Sequence, residues 1–175
     1  NPEIYHIGKL FALTNGFRPE FHNADSGEEI NRLNPSSFDL IISVPPFLAK
    51  NDRFNHQKDS YNDVALDIIS GSIRKLRENG MAIFLISDHV LFGQTRNFQR
   101  FRREIIQSRM LRTVVSLPVN LFSPEASLKS SLLLFRKDTH QHSVRFIDAS
   151  SGKFYSITRD KSISLETDLI VDLIN

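Results

Sequence analysis

Phe38-Asp39-Leu40-Ile41-Ile42-Ser43-Val44-Pro45-Pro46-Phe47 decides how this chain folds. From Ser37 to Ser43 the run is short and largely apolar, the pattern of a strand buried within a sheet. Pro45 and Pro46 must end it, because proline cannot donate to a ladder. Beyond the prolines, residues 48–60 are polar and without period, which predicts a loop. Val64, Ala65, Ile68, Ile69, Ile73 and Leu76 then share one face of a helix predicted over Tyr61–Asn79 and closed by Gly80. Met81–Ser87 reads as the next buried strand, and Thr95–Met110 as an amphipathic helix with Phe98, Phe101, Ile105 and Ile106 inward. Leu111–Leu117, Ser130–Arg136 and Ser143–Asp148 are three further strands joined by loops, and Glu166–Ile174 is a closing helix.

Upstream of the deciding stretch, Ile4, Ile7, Leu10, Phe11 and Leu13 recur at helical spacing and stop at Asn15-Gly16, a carboxyl cap. Arg18–Ala24 is expected as a short strand, followed by a turn at Asp25-Ser26-Gly27. Strands alternating with helices indicate an α/β layered domain with a mostly parallel sheet. Late strands with no helix between them imply a hairpin, hence a mixed sheet. No repeat or linker interrupts residues 1–175, which are expected as a single domain.

Composition narrows the function classes. With 40% apolar and 24% charged residues the usage is globular, and no apolar run suits a membrane span, so no membrane partner is expected. The absence of cysteine excludes disulfides and cysteine-held zinc and fits the cytoplasm. Net charge is only +2, so an argument for nucleic acid has to come from local features. The first residue is Asn1 rather than Met, which is read as a fragment or a processed chain.

The local features sit at the end of the first strand. In an open parallel sheet ligands bind outside the carboxyl ends of the strands, where this strand ends in a stiff double proline and an aromatic ring. The prolines fix the backbone so that a carbonyl faces the cleft, and Phe47 offers a face on which a base can stack. The bland alternative is a strand terminator with Phe47 in the core. Arg96, Arg100, Arg103 and Gln107 line one side of the Thr95–Met110 helix, with Arg102 beside them, and could touch phosphate, although a solvated face is the plainer reading. His140 and His142 lack a third ligand for a metal, His89 belongs to a loop rather than acting as a base, and Ser130 and Ser131 read as strand residues.

Phe38–Phe47 resembles the catalytic motif of amino-methylating DNA methyltransferases, a strand ending in Asn, Asp or Ser, then Pro-Pro, then Tyr or Phe. Other segments are similar, in order and spacing, to the modification subunits of type I restriction systems: Leu13-Thr14-Asn15-Gly16, Asn23-Ala24-Asp25-Ser26, Glu78-Asn79-Gly80-Met81-Ala82-Ile83, Ser87-Asp88-His89-Val90-Leu91-Phe92, Leu117-Pro118-Val119-Asn120-Leu121-Phe122 and Arg145-Phe146-Ile147-Asp148-Ala149-Ser150. The resemblance implies a Rossmann-like methyltransferase sheet and methyl transfer from S-adenosylmethionine to the exocyclic amine of adenine, flipped out of double-stranded DNA. It implies specificity and nuclease subunits as partners. It places Val44, Pro45, Pro46 and Phe47 in the catalytic loop, with Phe47 on the flipped base and the Pro45 carbonyl on the amine. Asp25 falls where the family contacts the cofactor's adenine, and an Asx turn is its structural alternative.

Two departures qualify the resemblance. Val44 stands where the family has a side-chain acceptor, and Ser43, one residue early, points to the other face of the strand. The family's glycine-rich turn and the acid of the following strand are missing from the chain. The expectation is a sheet incomplete on its amino-terminal side, inactive alone and poor at holding S-adenosylmethionine. A catalytically dead module kept for DNA binding or subunit assembly is the rival.

Overall fold

The computed structural model describes residues 2–47, 61, 63–122, 128–138, 143–158 and 162–174. At its centre is a five-stranded sheet in the order β1-β2-β4-β3-β5. The strands are β1 (Phe38–Ser43), β2 (Leu76–Ser87), β3 (Leu111–Ser116), β4 (Ser130–Arg136) and β5 (Arg145–Asp148). β1 is parallel to β2 and β5 parallel to β3, whereas β4 lies between β2 and β3 and is antiparallel to both. The mixed sheet is the expected one, with four strands running one way and β4 reversed, although its pairings divide evenly between parallel and antiparallel.

Strand side chains alternate between the two faces, so each face collects its own apolar layer. One face carries Ala82, Phe84 and Ile86 of β2 with Leu133 and Phe135 of β4. Helices α3 (Val64–Ile73) and α5 (Arg96–Gln107) cover it with Leu66, Ile69 and Ile73, and with Phe98, Phe101 and Ile105. The other face carries Val115, Leu134 and Ile147 under Phe154 and Ile170, the latter on α6 (Thr167–Ile174). The closing helix is where the apolar period predicts it.

Helix α1 (Pro2–Thr14) ends as its sequence predicts. Gly16 takes φ +77°, and the Phe17 amide donates to the Ala12 carbonyl at 2.8 Å, a left-handed cap that costs glycine least. Its apolar stripe, in contrast, is not core. Ala12 is buried, but Ile7, Leu10, Phe11 and Leu13 are exposed, because no described element lies against that side.

Four expectations are corrected. Ile106, expected inward on α5, is 61% exposed, because it lies off the face that buries Phe98, Phe101 and Ile105. Arg18–Ala24 forms no strand: no described strand lies beside it to supply a ladder, and Phe21 instead packs edge-on to Tyr5, 6.0 Å between centroids. The turn at Asp25-Ser26-Gly27 is the start of α2 (Ser26–Arg32), which Asp25 caps. The helix predicted over Tyr61–Asn79 runs only Val64–Ile73, and Gly80 lies within β2. Strand pairing overrides the helical period there: the Ser37 and Phe38 amides both donate to the Lys75 carbonyl, and Phe38 pairs with Leu76. The register then jumps to Leu40 opposite Met81. A Cβ on Gly80 would lie 2.8 Å from the carbonyl oxygens of Arg77 and Phe38, so the residue permits a close backbone approach rather than a helix stop.

A short α4 (His89–Phe92) and the two-stranded pair β6 (Tyr155–Ile157) and β7 (Ile163–Leu165) are absent from the sequence reading. Elements of three or four residues carry too little period to register. Among the described residues no helix is long and apolar enough to cross a membrane. The loop expected at 48–60 lies outside the described residues.

Candidate active site at the carboxyl edge of the sheet

β1, β2, β3 and β5 share one direction, so their carboxyl ends meet at one edge, together with the start of the reversed β4. Pro45-Pro46-Phe47 leaves β1 at that edge. Pro45 is buried, Pro46 exposed and Phe47 partly exposed, while Val44 is 63% exposed. Ser43, on the opposite face of the strand, is partly buried. The tripeptide therefore lies where strand ends converge, with the Phe47 ring partly exposed there.

Beside it, β2 ends in Ser87-Asp88-His89. The Ser131 hydroxyl, on the start of β4, donates to Asp88 Oδ1 at 2.6 Å, and the Asp88 amide donates to the Lys129 carbonyl at 3.0 Å. The His89 amide donates to Ser87 Oγ at 3.2 Å. Ser130, opposite Ser87 in the ladder, is fully buried, and its hydroxyl finds no partner among the described residues. The Asp88–Ser131 pair was invisible in sequence: Ser131 is 43 positions away and no local pattern marks it. His89 is exposed and meets Phe98 edge-on at 4.9 Å, in keeping with a loop histidine.

Tyr61 is held near this edge by several contacts. It is 2% exposed, its amide donates to Asp67 Oδ1 at 2.8 Å, and Asn97 Nδ2 donates to its carbonyl. Its hydroxyl donates to Glu104, and the Arg100 guanidinium sits 4.2 Å from its ring centroid. Burial, then the bond to Glu104, pushes the phenol from 10.0 up to about 12. The fold thus favours the neutral form. That contribution to stability is complete below the unfolded value of 10.0 and is lost as pH rises toward about 12. Alkaline titration of phenolate absorbance should show one late-ionising tyrosine coincident with loss of folded signal, and Tyr61→Phe should remove it. An unchanged profile in the variant would refute the assignment. Burial likewise raises the Asp63 carboxyl, which caps α3 through the Leu66 amide at 3.1 Å.

Asp25 Oδ1 accepts the amides of Gly27 and Glu28, at 3.0 and 3.2 Å. That is the structural role considered for it, executed as a helix cap. The arginines of α5 separate into three kinds. Arg102 turns inward and donates to the carbonyls of Val90 and Gly93, Arg100 serves Tyr61 and Glu104, and Arg96 and Arg103 stand exposed. His140 and His142 lie outside the described residues, among which no cluster of metal-ligating side chains occurs. Nor, among the described residues, does any strand end in a glycine-rich turn that would admit a nucleoside cofactor.

The fold is that of a Rossmann-like methyltransferase domain. The methyltransferase subunit of a type I restriction-modification system from Streptococcus thermophilus superposes with a TM-score of 0.84 at 21% identity, over 99% of this chain and 40% of that one. The EcoKI M protein, a type I restriction enzyme, superposes at 0.61 with 19% identity, over 78% of this chain and 30% of that one. In sequence, the methylase subunit of the type I restriction enzyme EcoEI from Escherichia coli is 27% identical over 117 residues, 63% of this chain and 23% of that protein. The chain thus spans less than a quarter of that relative. Residues 14–172 match the family described as N-6 DNA methylase, and the chain belongs to that family.

Proposed function

We propose that this chain is a portion of the catalytic domain of a type I modification subunit that methylates the exocyclic amine of adenine in double-stranded DNA. The observation that carries the proposal is Pro45-Pro46-Phe47 at the carboxyl end of β1 in a member of the N-6 DNA methylase family. Phe47 stacks on the flipped base, and the Pro45 carbonyl accepts a hydrogen bond from the amine, holding its nitrogen toward the donor. Val44 and Pro46 complete the loop. S-adenosylmethionine supplies the methyl group, bound mainly by polypeptide outside this chain, with Asp25 at the adenine end of the cofactor. The protein works in the cytoplasm, with specificity and nuclease subunits of the kind that accompany the type I relatives.

The test is transfer of labelled methyl groups to duplex DNA by the intact protein with its specificity subunit, followed by digestion and identification of the methylated base. Phe47→Ala should lower kcat/KM by about 1–3 kcal/mol, or roughly fivefold to a hundredfold, through lost stacking. An unaffected rate would remove Phe47 from the site, and label on cytosine would overturn the adenine assignment.

One observation favours a second reading: Val44 cannot accept the hydrogen bond that the family's Asn, Asp or Ser accepts. A protein that binds its DNA but transfers no methyl would be a module kept for binding or assembly.

A further inference from the structure

At the edge where the strands end, α4, the turn after it and the first half of α5 form one rigid unit. A Cβ on Gly93 would lie 2.5 Å from the His89 carbonyl oxygen and 2.6 Å from Phe98 Cδ2, so the turn packs directly onto α5. Arg102 Nη1 ties it down through the carbonyls of Val90 at 3.0 Å and Gly93 at 2.9 Å. Thr95 Oγ1 accepts the Phe98 amide and starts the helix. The unit nevertheless holds Phe92 68% exposed. A turn braced this firmly could have buried the ring, and a single exposed aromatic means little alone.

Its surroundings add the second observation. α5 follows β2 and leads back to the start of β3, so Arg96 lies at the same edge as Phe92 and Pro45-Pro46-Phe47, and Arg103 lies two turns down the helix. Seven residues of helix span about 10 Å, roughly three phosphates of one DNA strand at about 3.4 Å of axis each. No described carboxylate pairs with Arg96 or Arg103; the one acid of α5, Glu104, is engaged by Arg100 and Tyr61. The exposed face of α5 is therefore uncompensated positive charge.

We infer that Arg96 and Arg103 of α5 track the phosphate backbone of the DNA while Phe92, mounted on the braced turn, packs against the nucleotides beside the flipped base. The inference rests on the proposed action on DNA. It assigns backbone positioning to α5 and leaves base chemistry to the Pro-Pro-Phe loop, the usual separation of phosphate and base contacts.

The experiment measures duplex DNA affinity of the intact protein with its specificity subunit across a salt series, beside methyl transfer. Each phosphate contact contributes about 0.9 to the slope of log K against log salt, so Arg96→Gln/Arg103→Gln should flatten the slope by about 1.8. Arg96→Lys/Arg103→Lys should restore it. The control Arg32→Gln/Arg74→Gln, which removes equal charge at the opposite edge, should leave it unchanged. Phe92→Ala should weaken binding about fivefold or more at every salt concentration without changing the slope. A slope unaltered by the double glutamine change would overturn the arginine assignment, and unaltered affinity in Phe92→Ala would overturn that of Phe92. Loss of subunit assembly with an unchanged slope would likewise overturn the inference and make the face a protein contact. A wild-type complex that fails both to bind duplex DNA and to transfer methyl would instead defeat the proposed function itself.

Discussion

Val44→Asn should raise the rate of methyl transfer by the intact protein roughly a hundredfold to a thousandfold, the equivalent of about 2.7–4 kcal/mol for one preorganised hydrogen-bond partner at a reacting atom. On the proposed function, valine at this position leaves only the Pro45 carbonyl to hold the amine, with no side-chain acceptor to keep the nitrogen lone pair aimed at the donor. Val44 is 63% exposed, so the replacement removes no core packing and should leave the melting temperature nearly unchanged. The measurement is labelled methyl transfer by wild type and variant at saturating DNA, with the specificity subunit present. The isolated 175-residue chain should show no transfer in either form. A wild-type rate equal to that of family members with Asn or Asp at this position would show that the acceptor is dispensable. No gain in the variant would favour the binding or assembly module.

The second large effect concerns the sheet that positions the loop. Phe84→Ala should destabilise the fold by about 3–5 kcal/mol, a large share of the roughly 5–15 kcal/mol that holds a domain together. Phe84 is fully buried in β2, edge-on to Phe135 of β4 with 5.8 Å between centroids, and Ser43 of β1 pairs beside it. Removing the ring leaves a cavity between the reversed strand and the helices, and weakens the strand against which β1 ends. Denaturant unfolding followed by circular dichroism should show the midpoint fall sharply with unchanged slope. A loss below about 1 kcal/mol would mean that the layer collapses around the gap, and that this core is packed less tightly than its burial indicates.

Much of the candidate edge was legible because its cues are local. Short apolar runs located the five strands of the sheet, although β2 begins at Leu76 rather than Met81, Pro45-Pro46 ended β1, and Asn15-Gly16 ended α1. Two of the misreadings share one cause. The helical period runs on through Leu76, yet that residue pairs with Phe38 across the sheet, and Ile7, Leu10 and Phe11 keep a core-like stripe where no described element covers them. Period reports that a face is apolar, not what lies against it.

By itself, the sequence determined the order of the five sheet strands, the place where β1 must stop and the residue types of the loop that follows, since each depends on neighbours within a few positions. Tertiary structure alone decided that β4 inserts between β2 and β3, that Ser131 meets Asp88, that Glu104 receives the Tyr61 hydroxyl, and that Arg102 turns inward while Arg96 and Arg103 stay out. The side-chain pairs Ser131–Asp88 and Tyr61–Glu104 each join residues 43 positions apart. They form only because burial of both faces of the sheet brings distant segments together, and the energy that selects them is a property of the packed layers rather than of any local pattern.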